Sequence, residues 1–237
     1  MARKPRFNLI GVPQHIVQRG NNREPCFYAE EDYRFYLECI NEYSRKFNCL
    51  IHAYVLMTNH VHLLVTPQQD TAVSKMMQSV GAKYVRYINK IYKRTGTLWE
   101  GRFKSSVVDT NNYFLICMCY IELNPVRAGM VKVPSEYRWS SYRMNAFGAE
   151  DSCLTNHPVY FELSENREQR LHDYRELFSH ALNYEQLHDI RRALNHELVL
   201  GSCRFKEKIE TMTNRRVDLG KPGRPKVNEL EACYFVY

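Results

Sequence analysis

The stretch Leu50-Ile51-His52-Ala53-Tyr54-Val55-Leu56-Met57-Thr58-Asn59-His60-Val61-His62-Leu63-Leu64-Val65-Thr66 decides the fold. Its halves, Leu50 to Met57 and His60 to Thr66, are strand-forming runs separated by the polar pair Thr58-Asn59. That is the pattern of an antiparallel hairpin with a two-residue connection. Upstream, Glu30 to Phe47 repeats Tyr33, Tyr36, Leu37, Ile40, Tyr43 and Phe47 at helical spacing, and His15 to Arg19 reads as a strand ending in the turn Gly20-Asn21-Asn22. Downstream, Ala72 to Arg94 carries an apolar stripe (Val73, Met76, Val80, Tyr84, Ile88) beside a crowd of cations, and Gly96 and Gly101 close it. Arg102 to Asp109 is a fourth strand, and Thr110 to Asn124 a helix, capped by Thr110 or Asn111 and stopped by Pro125. The order β-α-β-β-α-β predicts an α+β, ferredoxin-like split βαβ fold. In it a four-stranded antiparallel sheet has helices on one face, an added tyrosine-bearing helix, and an open face for a ligand or partner.

The chain has 237 residues, 44% hydrophobic and 25% charged, enough to bury a sizeable core and to exclude disorder or low-complexity scaffolds. The longest uncharged apolar run, Tyr113 to Ile121, is about half of what a membrane helix needs, and no apolar signal core follows Arg3-Lys4-Pro5-Arg6, so neither spanning nor secretion is expected. Eight cysteines without a Cys-x-x-Cys pair fit ordinary thiols in a reducing cytoplasm. Net charge is +7, with 20 basic against 12 acidic residues in 1–150 and a second basic region over 201–226. Two separate basic regions suit a polyanion touched at two places; charge alone fits a solvated basic surface as well.

Composition changes after Pro134, and the polar Asp151 to His157 puts a boundary near residue 150. Residues 1–149 are read as one domain and 150–237 as a small helical module with helices over Arg167–His180, Glu185–Asn195 and Ser202–Met212. The last two, around Gly201-Ser202, have the spacing of a helix-turn-helix (about 185–213) with Arg204, Lys206 and Lys208 on its second helix, a spacing that many small bundles share. Lys221-Pro222-Gly223-Arg224-Pro225-Lys226 has the form of an AT-hook core.

Strand alternation puts His60, His62 and Leu64 on one face and Val61, Leu63 and Val65 on the core face. Two imidazoles side by side can share one metal ion, although such a pair on a half-exposed strand is more often incidental. Tyr120 and Asn124 project from one side of a helix that is otherwise apolar nearly all round, either as a site or as a core tyrosine and a helix-ending amide. The helix Lys83-Tyr84-Val85-Arg86-Tyr87-Ile88-Asn89-Lys90-Ile91-Tyr92-Lys93-Arg94 interleaves charge with aromatics, as a nucleic-acid surface or a solvated face would.

His60-Val61-His62 resembles the signature of HUH nucleases, and Tyr120-Ile121-Glu122-Leu123-Asn124-Pro125-Val126-Arg127-Ala128-Gly129 resembles the tyrosine helix of single-tyrosine HUH transposases. Pro13 to Arg23, Met57-Thr58-Asn59-His60 and Leu98-Trp99-Glu100-Gly101-Arg102-Phe103-Lys104 are similar to the REP-associated tyrosine transposases in particular, over about residues 5 to 145. The resemblance implies a bacterial, nucleoid-associated enzyme that cuts and rejoins single-stranded or hairpin DNA at repetitive extragenic palindromes through a 5′-phosphotyrosine on Tyr120. His60, His62 and Asn124 would hold Mg²⁺ or Mn²⁺, with Glu122 the second choice as third ligand, His52 a structural neighbour and Tyr113 a packing residue. DNA contacts are expected from Arg3, Lys4 and Arg6, from Lys83, Arg86, Lys90, Lys93 and Arg94, from Arg102 and Lys104, and from Arg204, Lys208 and Arg224. The rivals are a non-cleaving DNA-binding regulator and an RNA-binding module with the same strand order, which would need aromatics where this chain has histidines. Monomer and homodimer both fit.

Overall fold

The computed structural model describes residues 6–179 and 182–218. Five strands, β1 (Gln14–Arg19), β2 (Cys49–Met57), β3 (His60–Pro67), β4 (Lys104–Val108) and β5 (Val199–Leu200), form one sheet in the order β2-β3-β1-β4-β5. The hairpin forms as read, with Met57 opposite His60 across Thr58-Asn59. On the other side of β3 lies β1, with Arg19 opposite His60, Val17 opposite His62 and His15 opposite Leu64; β1 in turn pairs with β4, Val17 opposite Lys104. Residues paired across strands share a face. His15, Arg19, His60, His62 and Lys104 therefore stand on one side of the sheet, and Ile16, Val61 and Leu63 on the other.

That second side is sealed by α1 (Glu30–Lys46) and α2 (Ala72–Ile91), whose Tyr36, Ile40, Met76, Val80, Tyr84 and Ile88 are buried with Val61, Leu63 and Val65. The end of β1 is held by Gly20, where a side chain has no room: a Cβ would lie 2.3 Å from the Glu24 carbonyl oxygen.

The sheet has five strands, not the predicted four. Leu198, Val199 and Leu200 are buried, and β5 pairs in parallel with β4, Val107 beside Val199, so that the apolar run satisfies a sheet edge. Helices also cover part of the face predicted to be open. The helix α3 (Thr110–Glu122) buries Phe114, Cys117, Met118 and Ile121 against Ala53, Val55, Met57 and Leu64, because a helix apolar on all sides needs cover on all sides. Its N-cap is Asp109 rather than Thr110 or Asn111: the carboxylate accepts from the Asn111 amide and from Asn112, and also from the Ser202 amide and hydroxyl.

Pro125 does not stop the helical path. After Leu123 the chain enters α4 (Asn124–Arg127) with Pro125 in its first turn, where a missing N–H costs little. The carbonyls left over are capped by side chains: Asn124 Nδ2 donates to Tyr120 O (3.1 Å) and Ile121 O (3.2 Å), and Arg127 donates to Tyr120 O at 2.6 Å.

Beyond these lie α5 (Tyr142–Phe147), α6 (Pro158–Phe161), α7 (Arg167–Glu176), α8 (Tyr184–His196) and α9 (Cys203–Thr213). Tyr160, Tyr174, Ile190, Ala193, Leu198 and Leu200 share a core with Val55, Phe114 and Ile121, so the boundary expected near residue 150 separates no independent core. The predicted helix-turn-helix is corrected too: α8 and α9 are joined through β5, which the sheet edge holds extended, not through a tight turn. Ser202 caps α9, accepting from the Phe205 amide, as its sequence suggests. None of the described helices is long and apolar enough to cross a membrane. The AT-hook-like residues 221–226 lie outside the described residues.

Candidate functional site

On β3 the rings of His60 and His62 have centroids 5.1 Å apart. Each commits its Nδ1 to the protein: His60 Nδ1 lies 2.7 Å from Asn59 Oδ1, and His62 Nδ1 lies 2.8 Å from Nε2 of His15. Since Asn59 Oδ1 only accepts, His60 carries its proton on Nδ1 and keeps an open lone pair on Nε2. Burial, with Arg19 adding, lowers His60 to about 4. His15 is lowered to about 3 by burial and then Arg127, and His62 falls well below its ordinary value through burial, His15, His60 and Arg127. All three imidazoles are uncharged at neutral pH, the form that binds metals.

Tyr120 comes to them from α3. Its buried ring stands edge-on to His15 (centroids 5.6 Å apart) and His62 (6.0 Å), and the Arg127 guanidinium lies 4.3 Å over it. One turn later, Asn124 uses Nδ2 on the two helix carbonyls, which leaves Oδ1 as its free polar end.

His60, His62, Tyr120 and Asn124 line one cleft of about 590 Å³. Its walls add Arg19 from β1, Glu100 and Arg102 from the approach to β4, Lys104 from the start of β4, and Arg191 and Asn195 from α8: four cations against one acid. Among the described residues no group of three or more His, Cys, Asp and Glu side chains is placed to hold a metal; beside the histidine pair the cleft presents the Asn124 amide. Two imidazoles and an amide oxygen suit a divalent cation with positions open for phosphate oxygens, and the cationic walls suit a nucleic-acid backbone.

The other predicted residues separate sharply. Arg102 and Lys104 line the cleft; Lys83, Arg86, Lys90, Lys93 and Arg94 do not. Lys83 pairs with Glu42 at 2.6 Å and Arg94 donates to the Tyr28 hydroxyl at 2.7 Å. Arg6 is held by the fold: it stacks on Phe103 at 3.6 Å and donates to the Phe103 carbonyl. Arg204 and Lys208 are exposed on α9, away from the cleft lining. Arg3, Lys4 and Arg224 lie outside the described residues.

Glu122, the second choice as ligand, points away from the cleft. Ser141, Asn145 (2.8 Å) and Tyr174 (2.8 Å) all donate to its buried carboxylate, and burial raises it to about 7. His52 bonds the Thr155 carbonyl through Nδ1 (2.7 Å) and the Thr66 hydroxyl through Nε2 (2.9 Å), a structural histidine with no nitrogen to spare. Tyr113 donates to Asp189 at 3.3 Å and packs against α8.

Sequence reading missed His15, Arg127 and Arg191. Strand parity puts His15 on the face of Arg19, but its contact with His62 depends on the β1–β3 register. Arg127 reaches back to Tyr120 only because the chain stays helical through Pro125, and Arg191 arrives on a helix with no local link to the sheet.

Residues 10–124 match the protein family described as Transposase IS200 like. That match spans β1 to α3 and takes in both cleft histidines, Tyr120 and Asn124. Among solved structures, one described as a REP-associated tyrosine transposase bound to a REP hairpin has the same fold, with TM-score 0.55 and 19% identity over 66% of this chain and 93% of its own. Another, from Deinococcus radiodurans R1, aligns at 18% identity over 51% of this chain and 96% of its own with TM-score 0.36, too slight a likeness to build on. No curated protein matches the sequence.

Proposed function

We propose that the chain is a divalent-metal-dependent endonuclease and transposase that cuts and rejoins single-stranded DNA at REP-type palindromic hairpins. One observation carries the reading: Tyr120, His60, His62 and Asn124 converge on a single cation-lined cleft. His60 and His62 would hold Mg²⁺ or Mn²⁺ through Nε2, and Asn124 through Oδ1. The fit rests on imidazoles that are uncharged and already oriented through Nδ1. A cation bound there neutralises charge at the scissile phosphate.

Tyr120 is the nucleophile. Its oxygen forms a bond to phosphorus as the bond from phosphorus to the 3′-oxygen breaks; the phenol loses its proton and the departing oxygen gains one. A 5′-phosphotyrosine and a free 3′-OH result, and the reverse attack rejoins a strand. Arg19, Arg102, Lys104 and Arg191 offset the charge of the backbone along the cleft. The solved relative is described as bound to a REP hairpin, which makes palindromic hairpins the substrate to try first.

The test incubates the purified protein with labelled single-stranded hairpins from its own genome's palindromic repeats, with Mn²⁺ or with EDTA, beside Tyr120→Phe. A metal-dependent covalent adduct that Tyr120→Phe lacks is the expected result. Tight hairpin binding with neither adduct nor cut product under any divalent metal would overturn the nuclease reading in favour of a DNA-binding regulator.

A further inference from the structure

The reaction described above gives no part to His15, which is packed against both His62 and Tyr120. It is fully buried on β1, its Nε2 lies 2.8 Å from His62 Nδ1, and its ring is edge-on to Tyr120. Its own Nδ1 is buried without a partner. Where two neutral imidazoles share one hydrogen bond, a single proton lies between them, so the contact has two forms. In the first, His15 donates from Nε2; His62 then keeps its proton on Nε2 and has no lone pair to turn to the cleft. In the second, His62 donates from Nδ1, its Nε2 is a free lone pair, and His15 holds its proton on the unpaired Nδ1. His60 has no such choice, because the oxygen beside its Nδ1 only accepts.

We infer that His15 is a positioning residue that makes His62 a metal ligand by accepting the His62 Nδ1 proton. The inference rests on the metal-dependent reading above and assigns to this residue the tautomer on which that reading depends. The polar partner behind a ligating histidine commonly governs metal affinity by 10- to 100-fold. Burial of a second imidazole, instead of a carboxylate, also keeps the pocket free of an added negative charge.

The experiment measures Mn²⁺ binding to the full-length protein, by the electron paramagnetic resonance signal of free Mn²⁺, for wild type, His15→Phe and His15→Gln. Phenylalanine keeps the ring volume without an acceptor, while the glutamine side-chain oxygen can take the place of Nε2. His15→Phe is expected to weaken Mn²⁺ binding about 10- to 100-fold and His15→Gln by less than about threefold. Both variants are expected to bind the hairpin in EDTA as the wild type does, a readout that a fault in packing would shift.

Unchanged Mn²⁺ affinity in His15→Phe overturns the inference, and so does an equal loss in both variants, which would report lost packing and not a lost acceptor. A wild-type protein that binds no Mn²⁺ brings down the metal reading itself, a failure seen before any variant is compared. Should His15→Phe not fold, nitrogen-15 NMR of the histidines in the native protein at saturating Mg²⁺ decides the matter. Protons on Nδ1 of both His62 and His15 support the inference; a proton on His62 Nε2 overturns it.

Discussion

On the α1–α2 side of the sheet the core is aromatic and tightly packed: Tyr84 donates to the Cys26 carbonyl at 2.7 Å amid Tyr36, Phe27 and Trp99, all of them buried between sheet and helices. On the α3 side, the same strands carry His15 and His62, buried against Tyr120, and the half-buried His60, with four cations on the cleft walls. The two sides share a backbone and differ only in residue parity. What separates them is access. One side lowers its free energy by burying apolar surface between sheet and helices; the other turns imidazoles, a phenol and cations to a cleft, where a ligand can complete the bonds that the protein leaves open.

The largest effect should come from the pair of tyrosines that face each other through this comparison. Tyr120→Phe is expected to abolish the DNA adduct while leaving the unfolding midpoint nearly unchanged, because its hydroxyl has a role in chemistry. Tyr84→Ala should do the opposite: a stability loss of about 3–5 kcal/mol, read by urea unfolding, with an unchanged cleavage rate per folded molecule. A slower rate in folded Tyr84→Ala protein would mean that the two sides of the sheet are coupled and the comparison is too simple.

Period-two alternation and a two-residue connection made the hairpin and the His60–His62 face legible, and 3.6-residue spacing made α1 and α2 legible, because each is settled within a dozen residues. The contact between His15 and His62 joins residues 47 apart, so no local pattern carries it. Glu122 was ambiguous for a related reason. A helix apolar on every side has no face to read, and whether a carboxylate turns to the cleft or to Ser141 and Tyr174 depends on helices packed from far along the chain. The strand β5 is two residues long, below what alternation can signal, and becomes a strand only because β4 offers an edge. Charge on α2 showed that the helix is basic but not which side of the sheet it covers.

A finer contrast lies within the α3 side itself. His52 stands among Thr66, Thr155, Phe114 and His157 with both nitrogens bonded, whereas the cleft histidines are not so complete. Burial lowers His52 to about 4 against an ordinary 6.5, the Thr155 bond opposing that shift and His157 adding to it. As pH falls from about 6.5 towards 4, the unfolded chain takes up this proton before the folded one does, so the folded state loses stability across that window. Near pH 4.5 the loss is about 2–3 kcal/mol. Urea unfolding of wild type and His52→Gln at pH 7.5 and 4.5 measures it: the stability advantage of the wild type should shrink by that amount at the lower pH. Subtracting the variant removes the parallel loss from the other buried histidines, and a gap that stays constant would mean that His52 is already charged in the folded protein.

The smallest expected effect bears on which side DNA follows. Arg102 and Lys104 open onto the cleft, while Lys83 is paired with Glu42 behind the sheet. The double change Arg102→Gln with Lys104→Gln should weaken hairpin binding roughly tenfold and reduce the slope of log affinity against log salt by about one per cation removed. Lys83→Gln with Arg86→Gln should leave affinity within about twofold and the slope unaltered, since a cation that already has its counter-charge, or that faces away from the strand, releases no counterions on binding. Fluorescence anisotropy of a labelled hairpin in EDTA, repeated across salt concentrations, separates the two pairs. Equal slopes lost by both would place the DNA across α2 as well as the cleft, and the sheet would then bind on the side that this comparison assigns to packing alone.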